Sequence, residues 1–179
     1  METILTIGNK VFYPYQGLCM IGPVVQKVME GKAVRFYHLS VLDEGGDLFV
    51  PVDKVTAVGI RPLLKESEIP KLLNQLKVKP RLHSAIHHTQ QTLVYGQLLA
   101  SGSAFDLAEV VWSLTGLSET KSLPYSQSRT LDRARRLLID EISEVTGKPK
   151  VKVEAQIDQA LQARKKKRKR IGNKKEISN

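Results

Sequence analysis

Three histidines in residues 83–88 offer the best prospect of reactive chemistry in this chain. His83 and His87 stand four residues apart, which puts both imidazoles on one face of a helix in the way zinc ligands often sit, and His88 adjoins them. A zinc hydrolase also needs a general base, but the His-Glu-x-x-His pattern that supplies one has Ser84 in place of its glutamate. No cysteine or nearby carboxylate completes a tetrahedral set. The residues therefore predict no metal site, no cofactor and no catalytic residue, and they argue against an enzyme. Cys19, the one cysteine, lies in Gly17-Leu18-Cys19-Met20-Ile21, a setting that predicts a small buried hydrophobe. Gly45-Gly46 sits between strand signals and opens no helix, so no phosphate-cradling loop of Walker or Rossmann type is present.

Charge points elsewhere. The chain carries 28 basic and 18 acidic residues, a net +10. Nine of the basic residues, beginning with Arg164, Lys165, Lys166 and Lys167, fall within 164–179 beside a single acid, Glu176, so the preceding 163 residues carry 19 basic groups against 17 acidic ones. The body is nearly neutral. Self-repulsion predicts an extended, solvated tail that releases counterions from any polyanion it meets, DNA, RNA or an acidic protein face alike. A solubilising terminus is the plainer reading of the same run. Arg129, Arg133 and Arg136 recur at helical intervals with Arg135 beside them, a spacing suited to phosphate contacts that position a protein without reading sequence. Asp132, Asp140 and Glu141 offset part of that charge, and a solvated, salt-bridged face is the alternative. Trp112 falls at helical spacing with Ala108 and Phe105, which predicts a core role.

The elements that must position these residues fall into two kinds. Residues 1–63 show short β-branched runs separated by turn residues: Asn9–Tyr13, Leu18–Met29 with a bend at Gly22-Pro23, a hairpin turn at Glu30-Gly31-Lys32, Val34–Val41, Asp47–Val52 and Ala57–Arg61. Five short strands fit a small SH3-like or Tudor-like β-barrel. Pro51 removes a ladder donor and places its strand at an edge, where a partner can add a strand of its own. From Pro62 the period lengthens to that of helices. Ile69, Leu72, Leu73 and Leu76 mark one, with Ser67-Glu68 in its opening turn. A second is expected from about Ser84 to Ala100, a third along Phe105, Ala108, Val111 and Trp112 as far as Gly116, and a fourth along Leu131, Ala134, Leu138, Ile139 and Ile142 as far as Gly147. Val153, Ile157, Ala160 and Leu161 line a last one. The expected class is α+β: a β-barrel domain at 1–63, a compact α-helical domain at 64–163 and a basic flexible tail at 164–179. No run approaches the length of a membrane span, and Met1-Glu2-Thr3-Ile4 lacks a secretory pattern, so a soluble cytoplasmic protein is expected, with no membrane partner.

Four segments in order resemble the CarD/CdnL family of bacterial transcription regulators, whose N-terminal module is shared with the RNA-polymerase-interaction domain of the transcription-repair coupling factor. They are Gly8 to Gly17; Val50-Pro51 followed by Val58-Gly59-Ile60-Arg61; Ser101 to Val110; and Leu131-Asp132-Arg133-Ala134-Arg135-Arg136-Leu137-Leu138. The resemblance spans about residues 5 to 145. It implies a Tudor-like domain that binds the polymerase β subunit and a helical domain that contacts promoter DNA at the upstream edge of the melted bubble, stabilising the open complex without catalysis, in the cytoplasm at the nucleoid. Carried over by position, the polymerase-binding residues are Lys27, Met29, Leu39, Phe49 and Pro51, with Phe49 as the anchor. The DNA-facing residues are His88, Arg129, Arg133 and Arg135, with Arg164, Lys165, Lys166 and Lys167 of the tail.

The chain departs from the family at one position. Members carry a tryptophan early in the second C-terminal helix, where it wedges into the minor groove and is followed by basic residues. Counting back from Gly102, this chain has His88 there and Gln90-Gln91 after it. An imidazole buries less surface than an indole and prises a base step apart less effectively. Three readings follow in order: a polymerase-binding regulator that touches promoter DNA, a paralogue that binds polymerase or another protein without wedging DNA, and a small histidine-based metal enzyme.

Overall fold

In a computed structural model, residues 5–78 and 91–176 are described, with side chains through Ala163. The chain separates into two units, Met1–Leu63 with Ala100–Gly102, and Leu64–Leu99 with Ser103–Asn179.

Period-two alternation builds the first unit. Strands β1 (Lys10–Tyr13), β2 (Gly17–Met29), β3 (Lys32–Val41), β4 (Asp47–Pro51) and β5 (Arg61–Pro62) form one antiparallel sheet in the order β4-β3-β2-β1-β5. Every second side chain enters the core: Val11 from β1, Cys19 and Ile21 from β2, Tyr37, Leu39 and Val41 from β3, Val50 from β4. At the long β2–β3 hairpin both turn residues take left-handed dihedrals, Glu30 at φ 49° and Gly31 at φ 76°. Two positive φ values are what a two-residue turn needs to follow the right-handed twist of its strands. A register shift between Ile21 and Val24 marks the expected bend at Gly22-Pro23 as a β-bulge.

The strand expected over Ala57–Arg61 is largely a helical turn. Val55–Val58 forms helix α1, Gly59 leaves it with φ 83°, and only Arg61-Pro62 pairs with β1. Val55 and Ile60 are both buried, and the turn returns the chain so that both reach the same core; that packing overrides the strand preference of the valines.

In the second unit, amphipathic periodicity gives α2 (Ile69–Gln75), α3 (Gln91–Ala100), α4 (Ala104–Ser118), α5 (Tyr125–Thr146) and α6 (Lys150–Glu176). The Ser103 hydroxyl accepts the Asp106 N–H at 3.3 Å and opens α4, with Asp106 complementing the helix dipole. Gly116 does not end that helix. The chain continues to Ser118, where the Ser118 and Thr120 hydroxyls bond the carbonyls of Thr115 and Leu117 at 2.8 and 3.0 Å. Side-chain hydroxyls together with the Thr120 and Lys121 backbone N–H groups on the Leu117 carbonyl, and not a glycine, satisfy its last carbonyls. Leu107, Val110, Val111 and Trp112 of α4 are buried, as are Ala134, Leu137, Leu138 and Ile142 of α5 and Val153, Ile157, Ala160 and Leu161 of α6. Trp112 is 4% exposed, a core residue as its spacing predicts.

Two expectations need correction here. Asp140 and Glu141 do not lie on a solvated outer face: both are buried, Asp140 against the Lys150 ammonium at 2.7 Å and Glu141 accepting the Leu64 backbone N–H at 2.9 Å. A carboxylate spared from water in this way ties the start of the helical unit to α5. The basic run is also not extended, because α6 stays helical to Glu176. Lysine and arginine are strong helix formers, and no glycine or proline interrupts the chain between Val151 and Ile171.

Candidate functional site

The exposed face of the first unit is organised around β4, an edge strand paired with β3 alone among the described residues. An edge strand turns alternate N–H and C=O groups outward, where another chain can pair with them. Phe36↔Pro51, His38↔Phe49 and Ser40↔Asp47 are the cross-strand partners. With Val50 3% exposed and Leu48 packed on the core, alternation turns Phe49 outward, and its side chain is 44% exposed. The Lys27 ammonium lies over the Phe49 ring at 3.7 Å from the centroid. The His38 imidazole stacks on the same phenylalanine, centroids 5.2 Å apart and planes 23° from parallel. Met29, 54% exposed, lies at the end of β2, and Pro51 is half-buried at the end of β4.

The expectation for Leu39 is overturned. It is fully buried, because position 39 of β3 alternates with His38 and falls on the core face beside Tyr37 and Val41. Its role is to support the strand, not to meet a partner. Cys19 is buried as expected, and burial pushes its thiol up to about 11.

Sequence reasoning missed His38, Asp47 and Gly22. The His38 Nε2–H donates to Asp47 Oδ1 at 2.7 Å, and the Ser40 hydroxyl donates to the same oxygen at 3.2 Å. These two bonds, the histidine's first, hold the Asp47 carboxyl below its usual range. The Gly-Pro pair signals a bulge, but which residue of β3 faces that bulge depends on register and is not readable from spacing.

In the second unit the four arginines of α5 part company. Arg129 is exposed and its Nη1 donates to the Tyr125 hydroxyl at 3.2 Å, Arg136 is exposed, and Arg133 is half-buried. Arg135 is not turned toward an external phosphate. Its side chain is 20% exposed and its Nη2 meets Asp158 at 2.8 Å and Glu154 at 3.6 Å, so it joins α5 to α6. Burial and then the neighbouring Asp106 raise the Glu109 carboxyl above its usual range. His83, His87 and His88 lie outside the described residues. So do the side chains of Arg164, Lys165, Lys166 and Lys167. Among the described residues no cluster of three histidine, cysteine or acidic side chains is set to hold a metal, and no helix is long and apolar enough to cross a membrane.

Comparison with known proteins gives two family matches that divide the chain as its units do. Residues 5–64 match the CarD-like/TRCF RID domain, and residues 72–158 match the CarD C-terminal domain. YdeB of Bacillus subtilis strain 168, named as a candidate transcription factor, is 23% identical over 143 residues, covering 79% of this chain and 92% of the relative. The solution structure of the 72-residue N-terminal domain of Myxococcus xanthus CarD is 33% identical, covers 32% of this chain and 77% of that one, and superposes with a TM-score of 0.28.

Proposed function

The chain belongs to the CarD-like family, and from that premise we propose that it is a transcription regulator whose first unit binds the β subunit of bacterial RNA polymerase along the β4 edge. The observation that carries this reading is an edge strand with an outward aromatic beside a cation. Backbone groups of β4 provide strand pairing, and Phe49 provides desolvated contact area. Lys27, Met29 and Pro51 flank that anchor; Leu39 acts from beneath. In a pull-down with the β-subunit lobe, wild type is retained, and Phe49→Ala or Pro51→Ala is not. No retention of the wild type rejects the reading.

The helical unit, on the same proposal, lies near promoter DNA and modulates the stability of the open complex. Arg129 and Arg133 face phosphates, the basic end of α6 with Arg164, Lys165, Lys166 and Lys167 adds nonspecific affinity, and His88 stands where the family wedge would be. A second reading has a specific observation behind it. With Arg135 committed to Asp158 and Glu154, and with no wedge tryptophan, the unit has less to hold DNA with, as a paralogue that binds polymerase without wedging DNA would. Open-complex lifetime on one promoter separates the two, measured with wild type, with His88→Trp and with the chain ended after Ala163. A regulator that touches DNA changes the lifetime in at least one of these forms; a non-wedging paralogue leaves it unchanged in all three.

A further inference from the structure

Phe49 is a large apolar side chain on a surface, and such a ring ordinarily exchanges rotamers, so a partner must order it on docking. Here it does not stand alone. Its cross-strand partner His38 stacks against it with centroids 5.2 Å apart. The imidazole is itself held by the 2.7 Å bond from Nε2–H to Asp47, whose carboxylate also takes the Ser40 hydroxyl. The third constraint is steric. A Cβ at Gly22, in the β2 bulge, would lie 2.8 Å from His38 Nδ1 and 3.2 Å from the His38 carbonyl oxygen. The ring thus rests directly on the glycine, with no room for a methyl group. A hydrogen bond at one edge, a backbone floor at the other and an aromatic face fix one imidazole orientation.

We propose that His38 is a positioning residue for docking: seated on Gly22 and tethered to Asp47, it holds the Phe49 ring ready on the β4 edge for the polymerase. This rests on the reading of β4 as the docking edge, and adds that the anchor is ordered before the partner arrives. His38 acts through Phe49 and makes no contact of its own with the partner.

A double-mutant cycle tests this, using the full chain and core RNA polymerase and reading the dissociation constant. Phe49→Ala is the reference. His38→Ala is expected to weaken binding roughly 3- to 10-fold, the cost of ordering one side chain at an interface. In the Phe49→Ala background the same change is expected to have no further effect. His38→Phe, which keeps an aromatic face, restores most of the affinity, and Gly22→Ala, which leaves every polar group in place but displaces the imidazole, weakens binding as His38→Ala does. Nuclear Overhauser contacts between the His38 and Phe49 rings in the free chain give a readout independent of polymerase: present in wild type, lost in Gly22→Ala. Loss of affinity from His38→Ala of equal size in both backgrounds, no loss at all, or absence of the ring contacts overturns the proposal while the docking edge stands. Unchanged binding by Phe49→Ala overturns both.

Discussion

Replacing Arg135 with alanine is expected to loosen α6 and leave DNA affinity nearly untouched. The guanidinium side chain is 20% exposed, while its partners Asp158 and Glu154 are 47% and 53% exposed. The pair is neither a surface salt bridge, worth about 0–1 kcal/mol, nor a buried charge-assisted bond worth up to about 3, which places its loss near 1.5 kcal/mol. For a helical unit of this size that is a fall of about 5 °C in melting temperature. The far-ultraviolet circular dichroism melt reads it, because nearly all helix belongs to the second unit. Asp158→Asn is expected to lower the melt in the same direction, and the double variant to lose less than the two singles added together. Duplex binding by fluorescence anisotropy at fixed salt is the companion assay. There Arg135→Ala is expected to stay within about twofold of wild type, whereas Arg129→Ala weakens binding for every sequence and flattens the salt dependence by about one unit. An unchanged melt together with a sharp loss of DNA affinity in Arg135→Ala would refute the assignment of this residue to the α5–α6 seam.

Other consequences are separable. Cys19, with its thiol at about 11 and its side chain buried, is expected to resist alkylation in the native chain at pH 8 and to react only on unfolding, as mass spectrometry after a timed iodoacetamide pulse reads. The raised Glu109 carboxyl means that the folded chain holds this proton more tightly than the unfolded one; its contribution favours folding at low pH and is lost as pH rises through the ordinary carboxylate range to the raised value. Glu109→Gln is therefore expected to gain on wild type in melting temperature at pH 7 relative to pH 4. Leu39→Ala removes a fully buried side chain and is expected to cost about 2–5 kcal/mol of stability in urea unfolding, where Phe49→Ala costs far less.

How far the sequence reached is seen in particular residues. Alternation and the Glu30-Gly31 turn made the hairpin legible, and Pro51 marked its strand as an edge, because those signals are local. Trp112 and the helix stops at Gly147 were legible for the same reason. What failed was whatever depends on partners distant in sequence. Leu39 joins the polymerase-binding set only by position in the family resemblance, and alternation cannot correct that, because it fixes which residues share a face and not which face is inward. The alternative of a solvated face fails for Asp140 and Glu141, because nothing local reveals a backbone N–H at Leu64 or an ammonium at Lys150 waiting for them. Arg135 looked equivalent to Arg129 until α6 supplied two carboxylates. The stretch at Ala57 reads as strand by local preference, because the burial of Val55 and Ile60 in one core is a tertiary fact.

The most direct test of the central claim attaches a photo-reactive cross-linker at the exposed Asp53, just beyond β4, in the full chain, mixes it with core RNA polymerase and identifies the labelled subunit by mass spectrometry. Labelling concentrated on the β subunit, and reduced by Phe49→Ala, is the predicted result. Labelling confined to other subunits, or none above that of a linker placed on the exposed Glu66, would contradict it.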